Sequence, residues 1–244
     1  MVLPQVVLDA VLVGRIGPVR QWFEGVDAGE AQADLNATDV ETVGHTSLMR
    51  WCAVSSAESE NLVEIMRYLV SRGADVNLID RFGGTALHSS CYGALKPPVI
   101  RFLLAAGADP NIRTLGGSSP FEILILHGSM KQRSGEPFQD RILDLVADLL
   151  RAGAQIPTPV KLNEIMSANL DPKVRALVES VRLHGSWRLH CRAPHKRLLA
   201  LRSLVARGRA TTTAATPMHV KWLLAPQFPN DLVWLVLEYW SPAD

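Results

Sequence analysis

The sequence predicts an all-α fold: a solenoid of stacked helical repeats followed by a helical C-terminal extension. One pentad supports this, since Gly73–Asn77 (Gly-Ala-Asp-Val-Asn) returns 34 residues later as Gly107–Asn111 (Gly-Ala-Asp-Pro-Asn). A degenerate third copy begins at Gly153, 46 residues further on. Each copy follows an apolar stretch with helical spacing. Its glycine therefore stands where a helix would end in a left-handed cap, a conformation that glycine adopts without steric cost.

A second element recurs ahead of a shorter helix and completes the repeating unit. Its three copies are Gly44–Leu48, Gly83–His88 and Gly117–Phe121. Each copy carries Thr or Ser where a helix N-cap is expected, and the third has Pro at the first helical position. The unit is therefore a turn, a short helix, a second turn, a longer helix and a glycine cap. One such unit cannot bury its apolar face alone, so neighbouring units must stack.

These motifs resemble the ankyrin repeat, whose pattern has T-P-L-H-x-A in its first helix and G-A-D-x-N after its second. Thr85, Leu87 and His88 stand at the family's spacing in the best-matching copy. The resemblance extends over residues 6–183 in about five repeats, the first and last degenerate: 6–38, 41–77, 80–112, 114–156 and 158–183. In the fourth repeat about twelve extra residues, Gly128 to Gln139, separate the two helices. We expect them to form an exposed loop.

The resemblance to ankyrin repeats implies a non-enzymatic function, the binding of a protein partner by the hairpin tips and the concave face of the first helices. The residues expected to contact that partner are Arg81, Phe82, Tyr92, Arg113 and Leu115. Phe82 and Tyr92 belong to the residue types that anchor protein interfaces, so we expect both to be substantially exposed.

The sequence predicts no catalytic, cofactor-binding or metal site. His88 lies close to Cys91, but the resemblance implies that Thr85 and His88 hold a hairpin together by hydrogen bonding. Cys52 and Cys91 fall at small core positions of the family, where a buried thiol behaves as a small hydrophobe. The histidines and the cysteine between residues 184 and 195 are the densest group of metal-ligand types. They lack the second half-site that structural zinc requires.

Composition fits a protein with a substantial core, since 48% of the 244 residues are hydrophobic and 20% are charged. No stretch approaches the roughly 18 unbroken apolar residues of a membrane-crossing helix, so we expect no membrane partner. Three widely spaced cysteines argue against a disulfide framework. We therefore expect an intracellular, cytoplasmic protein, with the nucleus left open.

Charge changes sign near residue 180, which predicts a domain boundary there. Residues 1–179 contain 16 Lys+Arg and 21 Asp+Glu, whereas residues 180–244 contain 9 and 3. The basic residues from Arg188 to Arg209 alternate with leucines at helical spacing and lack a stacking aromatic residue. That pattern is typical of the solvated face of a packed helix, so we do not expect nucleic acid as a partner.

Residues 185–244 are predicted to form a helical module of their own. A helix from 194 to 206 is followed by a proline-punctuated link and a final apolar helix. This arrangement resembles a SOCS box, the C-terminal module of one family of ankyrin-repeat ubiquitin-ligase adaptors, although Ser203 stands where that family has a Cys. The resemblance implies elongin B, elongin C and a cullin as further partners. The alternative is that the module only caps the exposed end of the repeat stack.

Overall fold

The computed structural model describes residues 5–27, 38–39, 46–92, 95–130, 136–165, 170–207 and 225. Within them lie eleven helices: α1 (Gln5–Val13), α2 (Ile16–Asp27), α3 (Leu48–Val54), α4 (Ser59–Ser71), α5 (Ala86–Tyr92), α6 (Pro97–Ala105), α7 (Pro120–Met130), α8 (Glu136–Arg151), α9 (Pro159–Ile165), α10 (Pro172–His184) and α11 (Trp187–Ala206). Two short strands, β1 (Thr38–Asp39) and β2 (Thr46–Ser47), pair antiparallel.

The helices of the repeats form two rows. Along the inner row α1 packs on α3, α3 on α5, α5 on α7 and α7 on α9. Along the outer row α2 packs on α4, α4 on α6 and α6 on α8. Each inner helix from α1 to α7 also packs on the outer helix that follows it in the chain. The all-α solenoid predicted from the sequence is confirmed.

The described residues divide into two compact units between Arg175 and Ala176. The first contains α1 to α9 and the start of α10, and the second contains the rest of α10 and α11. None of the described helices combines the length and hydropathy needed to cross a membrane. The final apolar helix and the proline-punctuated link predicted after residue 207 lie outside the described residues.

Burial follows the position of each helix in the rows. Outer helix α4 is amphipathic: Leu62, Ile65, Met66 and Leu69 are buried at spacings of three and four residues, the period of one helix face. Inner helix α5 has neighbours on three sides, and every residue from Ala86 to Cys91 is buried. Each fully buried Leu, Ile or Met side chain contributes about 1.5–3 kcal/mol to the hydrophobic stabilisation.

Glycine caps end the outer helices as the sequence predicts. Gly73, Gly107 and Gly153 have φ values of 95°, 91° and 91°, in the left-handed region. After α4, the N–H of Ala74 donates to the carbonyl of Leu69 at 3.0 Å, and the N–H of Gly73 donates to that of Val70 at 2.9 Å. The same pair of bonds follows α6 and α8. This is the Schellman arrangement, which satisfies carbonyls that a helix end leaves without partners.

Asparagine side chains join each repeat to the next. The Asn77 side-chain amide donates to the Gly107 carbonyl at 3.0 Å, and its oxygen accepts the Asp109 N–H at 2.8 Å. Asn111 repeats the arrangement one unit on, with the Gly153 carbonyl at 3.1 Å and the Gln155 N–H at 2.8 Å. Both asparagines therefore tie the loop after one outer helix to the loop after the next.

His88 holds the base of its hairpin, as the resemblance implies. Its Nδ1 lies 3.1 Å from the backbone nitrogen of Thr85 and accepts that N–H. The ring proton is therefore on Nε2, which donates to the Ser118 carbonyl of the next repeat at 3.2 Å. Burial lowers the pKa of His88, which favours this neutral form.

In the next repeat an acidic side chain takes the position of that histidine. The backbone N–H of Ser119 donates to the Glu122 carboxylate at 3.2 Å, and the Glu122 N–H donates back to the Ser119 hydroxyl at 3.3 Å. This reciprocal pair is a capping box at the start of α7. The buried carboxylate, with only 3% of its side chain exposed, also pairs with Arg113 at 3.0 Å and with Lys161 of the following repeat at 2.8 Å.

Two helices extend further than the sequence predicts. The prediction of an exposed loop over Gly128–Gln139 is wrong in part, because α7 continues to Met130 and α8 begins at Glu136. The helix expected from residue 194 begins instead at Trp187, because the Ser186 hydroxyl accepts the Leu189 N–H at 3.3 Å and caps it. The proline at 194 therefore lies inside α11, where it cannot donate a helix hydrogen bond.

Removing either asparagine link should destabilise the repeat stack. Asn77→Ala and Asn111→Ala each remove two hydrogen bonds, and each change should lower the free energy of unfolding by about 1–2 kcal/mol. Urea unfolding followed by circular dichroism measures the change. Asn163→Ala on α9, where the side chain is exposed, is the matched control and should stay within about 0.5 kcal/mol of the original chain. Equal stability of all three variants would contradict the role assigned to these links.

Glu122 should make stability depend on pH in the acidic range. Burial opposes ionisation of its carboxyl, but the bonds from Lys161, Arg113 and the Ser119 N–H outweigh it and hold the pKa below its ordinary value of 4.5. The stabilisation is therefore present above that ordinary value and is lost as pH falls through the lower pKa of the folded chain.

Glu122→Gln should consequently reduce stability at neutral pH, and its deficit should shrink as the solution is acidified. Urea unfolding measured from pH 7 down to about pH 3 tests this. Glu179→Gln, at an exposed position of α10, serves as the control for replacing one carboxyl with an amide. A deficit for Glu122→Gln that stays constant over the whole range would show that its charge does not stabilise the fold.

Candidate protein-binding face

The hairpin before α5 is organised by one buried carboxylate. Oδ1 of Asp80 accepts the Phe82 N–H at 2.8 Å and the Gly84 N–H at 2.7 Å. The Asp80 N–H in turn donates to the Gly84 carbonyl at 2.9 Å. Gly83, at the tip, has a φ of 75°, a left-handed conformation that side chains rarely adopt. These bonds leave Arg81 and Phe82 at the end of a rigid turn.

Adjacent hairpin tips are bonded to each other. The Leu115 N–H of one tip donates to the Phe82 carbonyl of the neighbouring tip at 2.8 Å. A Cβ atom on Gly83 would lie only 3.0 Å from the Leu115 nitrogen, so the two backbones approach closely at this point. The spacing between the tips is therefore fixed by the backbone itself.

Arg50 connects the row of inner helices to the tip. From α3, its guanidinium pairs with the Asp80 carboxylate of the next repeat, and its Nε donates to the Ser89 hydroxyl on α5 at 2.7 Å. Sequence reasoning missed Arg50, because nothing in the pattern connects residues thirty positions apart. It also missed Glu122, although Ser119 followed three residues later by an acid is the capping-box signature.

Four of the five residues expected to bind a partner lie on these two tips. Phe82 is 51% exposed and Leu115 is 81% exposed, the highest value among the large apolar side chains described. The Arg81 guanidinium lies over the Phe82 ring, 4.6 Å from its centre. Arg113, 44% exposed, donates to the Gly117 carbonyl of its own tip at 2.7 Å. We name these four residues the tip patch.

The fifth residue, Tyr92, lies apart from the tip patch. It is the last residue of α5 and is 70% exposed, as the sequence predicts. At about 1.5 Å per residue, the helix places it about 9 Å from the Ala86 end, where the hairpin joins. The Tyr92 ring meets His127 of α7 edge-on, with centres 5.5 Å apart. Tyr92 therefore lies on the inner row of helices, but at the end of α5 that is remote from the hairpin tips.

The cysteines and histidines singled out in the sequence do not assemble a reactive centre in the described residues. Cys52 and Cys91 are fully buried, and burial raises the pKa of each thiol to about 12, so both stay protonated as core side chains. In α10 and α11, the rings of His184 and His190 lie 5.6 Å apart. The part of the chain that the structure describes holds no group of three or more metal-ligand side chains arranged around one ion.

Comparison with known proteins finds a family model that matches part of the chain. Residues 10–114 match the family model for ankyrin repeats, in three copies. Palmitoyltransferase Hip14 of Drosophila melanogaster is 34% identical over 117 residues, which are 47% of this chain and 16% of that protein. The E3 ubiquitin-protein ligase hecd-1 of Caenorhabditis elegans is 33% identical over 99 residues, 40% of this chain and 3% of the ligase.

A third relative is similar over a shorter stretch. Mitochondrial disaggregase of Bos taurus is 44% identical over 59 residues, 24% of this chain and 8% of the disaggregase. The chain thus spans a sixth or less of the length of these three relatives. The match over residues 10–114, with the two rows of helices, identifies the fold as an all-α ankyrin-repeat solenoid.

Proposed function

We propose that this chain is a non-enzymatic scaffold that binds a protein partner through the tip patch and Tyr92. Ankyrin repeats are protein-interaction modules, and this chain carries three matched copies. The observation that carries the choice of site is the exposure of Phe82 and Leu115 side by side on bonded tips. Large apolar side chains held out in water gain free energy when a partner covers them.

Rigidity of the tips supports the same site. Asp80 fixes one turn by two backbone hydrogen bonds, and Arg50 anchors that carboxylate to the inner helices. Binding to a surface that is already ordered loses little conformational entropy, so more of the contact energy appears as affinity. Phe82 and Tyr92 supply the large, stiff side chains that dominate interface energetics.

The alternative is an adaptor that also recruits an elongin–cullin ligase through the C-terminal segment. Of that pattern, only the stretch through α11 lies within the described residues, and there Ser203 is exposed at the position where the SOCS box has a Cys. Mixing the full chain with purified elongin B–elongin C complex and following co-elution on size exclusion distinguishes the two functions. Co-elution would favour the adaptor, and separate elution would leave the binding scaffold.

Removing the proposed anchors should weaken partner binding without unfolding the protein. In the variant Phe82→Ala, Tyr92→Ala, Leu115→Ala we expect partners to bind at least about tenfold more weakly, because buried anchors carry most of the energy of an interface. Affinity capture from cell extract with quantitative mass spectrometry measures the loss. The three side chains are exposed, so thermal unfolding should change little.

A second triple variant on the outer helices provides the control. Glu60→Ala, Arg67→Ala and Arg141→Ala alter exposed residues of α4 and α8. Proteins captured by the original chain should still be captured by this control. The proposal fails if the captured set is lost equally from both variants, or if it is retained by the variant without the three anchors.

A further inference from the structure

We infer that the tip patch is selective for an acidic partner: a protein segment that presents Asp or Glu beside a large apolar side chain. This inference rests on the proposed function and specifies the chemistry of the partner. It follows from which charges at the tips are already neutralised within the fold and which are not.

The one acidic side chain at the tips is already bonded and ion-paired within the fold. Residues 78–84 and 112–118 contain Asp80 as their single acidic residue, together with Arg81 and Arg113. Asp80 is buried, bonded to the backbone of its own turn and paired with Arg50 of the preceding repeat. Its charge is therefore balanced by a cation outside the tips, so neither Arg81 nor Arg113 is needed to neutralise it.

The position of Arg81 leaves its charge available to a partner. Its guanidinium stacks on the Phe82 ring, an electrostatic contact that orients the cation without neutralising it. The stacked arrangement also holds the guanidinium beside the apolar surface of the ring. A carboxylate that approaches Arg81 therefore arrives next to Phe82.

Arg113 provides a second cation with unused capacity. It shares the single carboxylate of Glu122 with Lys161, so this group of three carries one positive charge in excess. Both of the Arg113 bonds use Nη1, to Gly117 and to Glu122. Among the described residues, Nη2 has no acceptor, which leaves this nitrogen for a carboxylate of a partner.

The nearest acids along the chain are engaged elsewhere. Asp75 and Asp109 precede the two hairpins, and the Oδ1 atom of each accepts a backbone N–H, from Asn77 and Asn111 respectively. Those asparagines form the links between successive repeats. The two exposed carboxylates therefore lie in the linking loops rather than on the tips.

The apolar side chains of the tip patch predict the second feature of the partner, which is a large apolar side chain. Phe82 and Leu115 are joined by the bond between their backbones and are both largely exposed. The Arg81 guanidinium already covers one face of the Phe82 ring, and the aliphatic Leu115 offers nothing for a nucleic-acid base to stack on, although a phosphate could satisfy the arginines. A protein segment satisfies both features, because one side chain covers the apolar surface while a neighbouring carboxylate pairs with Arg81 or Arg113.

Selection from a random displayed peptide library on the full-length chain tests the inference. We expect the enriched peptides to contain Asp or Glu next to Phe, Trp, Tyr, Leu or Ile. Fluorescence anisotropy of one such synthetic peptide should show about tenfold weaker binding to Arg81→Gln, Arg113→Gln, because two charge-assisted contacts are lost. Binding should also weaken as the NaCl concentration rises. The matched control Arg67→Gln, Arg141→Gln removes the same charge from exposed positions of α4 and α8 and should bind as the original chain does.

A charge reversal separates a direct contact from an indirect effect of Arg113 on the fold. Selection on Arg81→Glu, a position that no carboxylate of the described residues pairs with, should shift enrichment from acidic towards basic peptides. Enrichment of neutral peptides would overturn this inference. So would an acidic peptide that binds the Arg81→Gln, Arg113→Gln variant and the Arg81→Glu variant as tightly as the original chain.

If the selected peptides were neutral or insensitive to the arginine variants but still lost affinity on Phe82→Ala, the inference would fail and the proposed function would survive. Peptides insensitive to Phe82→Ala, or an empty selection, would overturn both. A single-stranded DNA oligonucleotide that displaces the acidic peptide at equal concentration would instead identify phosphate as the preferred ligand and overturn the choice of a protein segment.

Discussion

A repeat of two short helices exposes apolar surface on both of its flanks, so each neighbour must be held at a fixed distance and in a fixed register. Asn77 and Asn111 provide that register on the loops after the outer helices, with the same two hydrogen bonds in successive repeats. His88 adds a bond from an inner helix to the neighbouring hairpin. Burial of the apolar faces supplies most of the stabilisation, and these polar bonds decide which faces meet.

Charge at the hairpins serves both the stability of the fold and the exposed surface. Asp80 and Glu122 are buried, the first paired with Arg50 and the second with Arg113 and Lys161, so both carboxylates are neutralised within the fold. Two cations share the one carboxylate of Glu122, and the excess lies where the chain is accessible to a partner. Arg113 therefore contributes to both properties, whereas Arg81 contributes to the surface alone. This difference makes Arg81 the cleaner position at which to change the charge of the tips.

Sequence patterns located the repeats because glycine caps and apolar spacing are local properties. Gly73, Gly107 and Gly153 were predicted to adopt a left-handed conformation, and all three do. Exposure of Phe82 and Tyr92 was expected because both belong to the residue types that anchor protein interfaces, and both are exposed. Helix α11 begins at Trp187, earlier than the residue 194 that the sequence predicts, because Ser186 caps it. Helices α7 and α8 also extend further than the sequence predicts, since residues 128–130 continue α7 and residues 136–139 begin α8.

The sequence by itself determined the class of fold, the positions of the glycine caps and the exposure of Phe82 and Tyr92, because each depends on residues close together in the chain. Only the tertiary structure decided which charges are neutralised. Arg50 and Asp80 are thirty residues apart, and Glu122 and Lys161 are thirty-nine apart, so their pairing depends on how consecutive repeats stack. No periodicity encodes the distance between two side chains on different repeats. The charge that remains at the tips is therefore a property of the stacked fold.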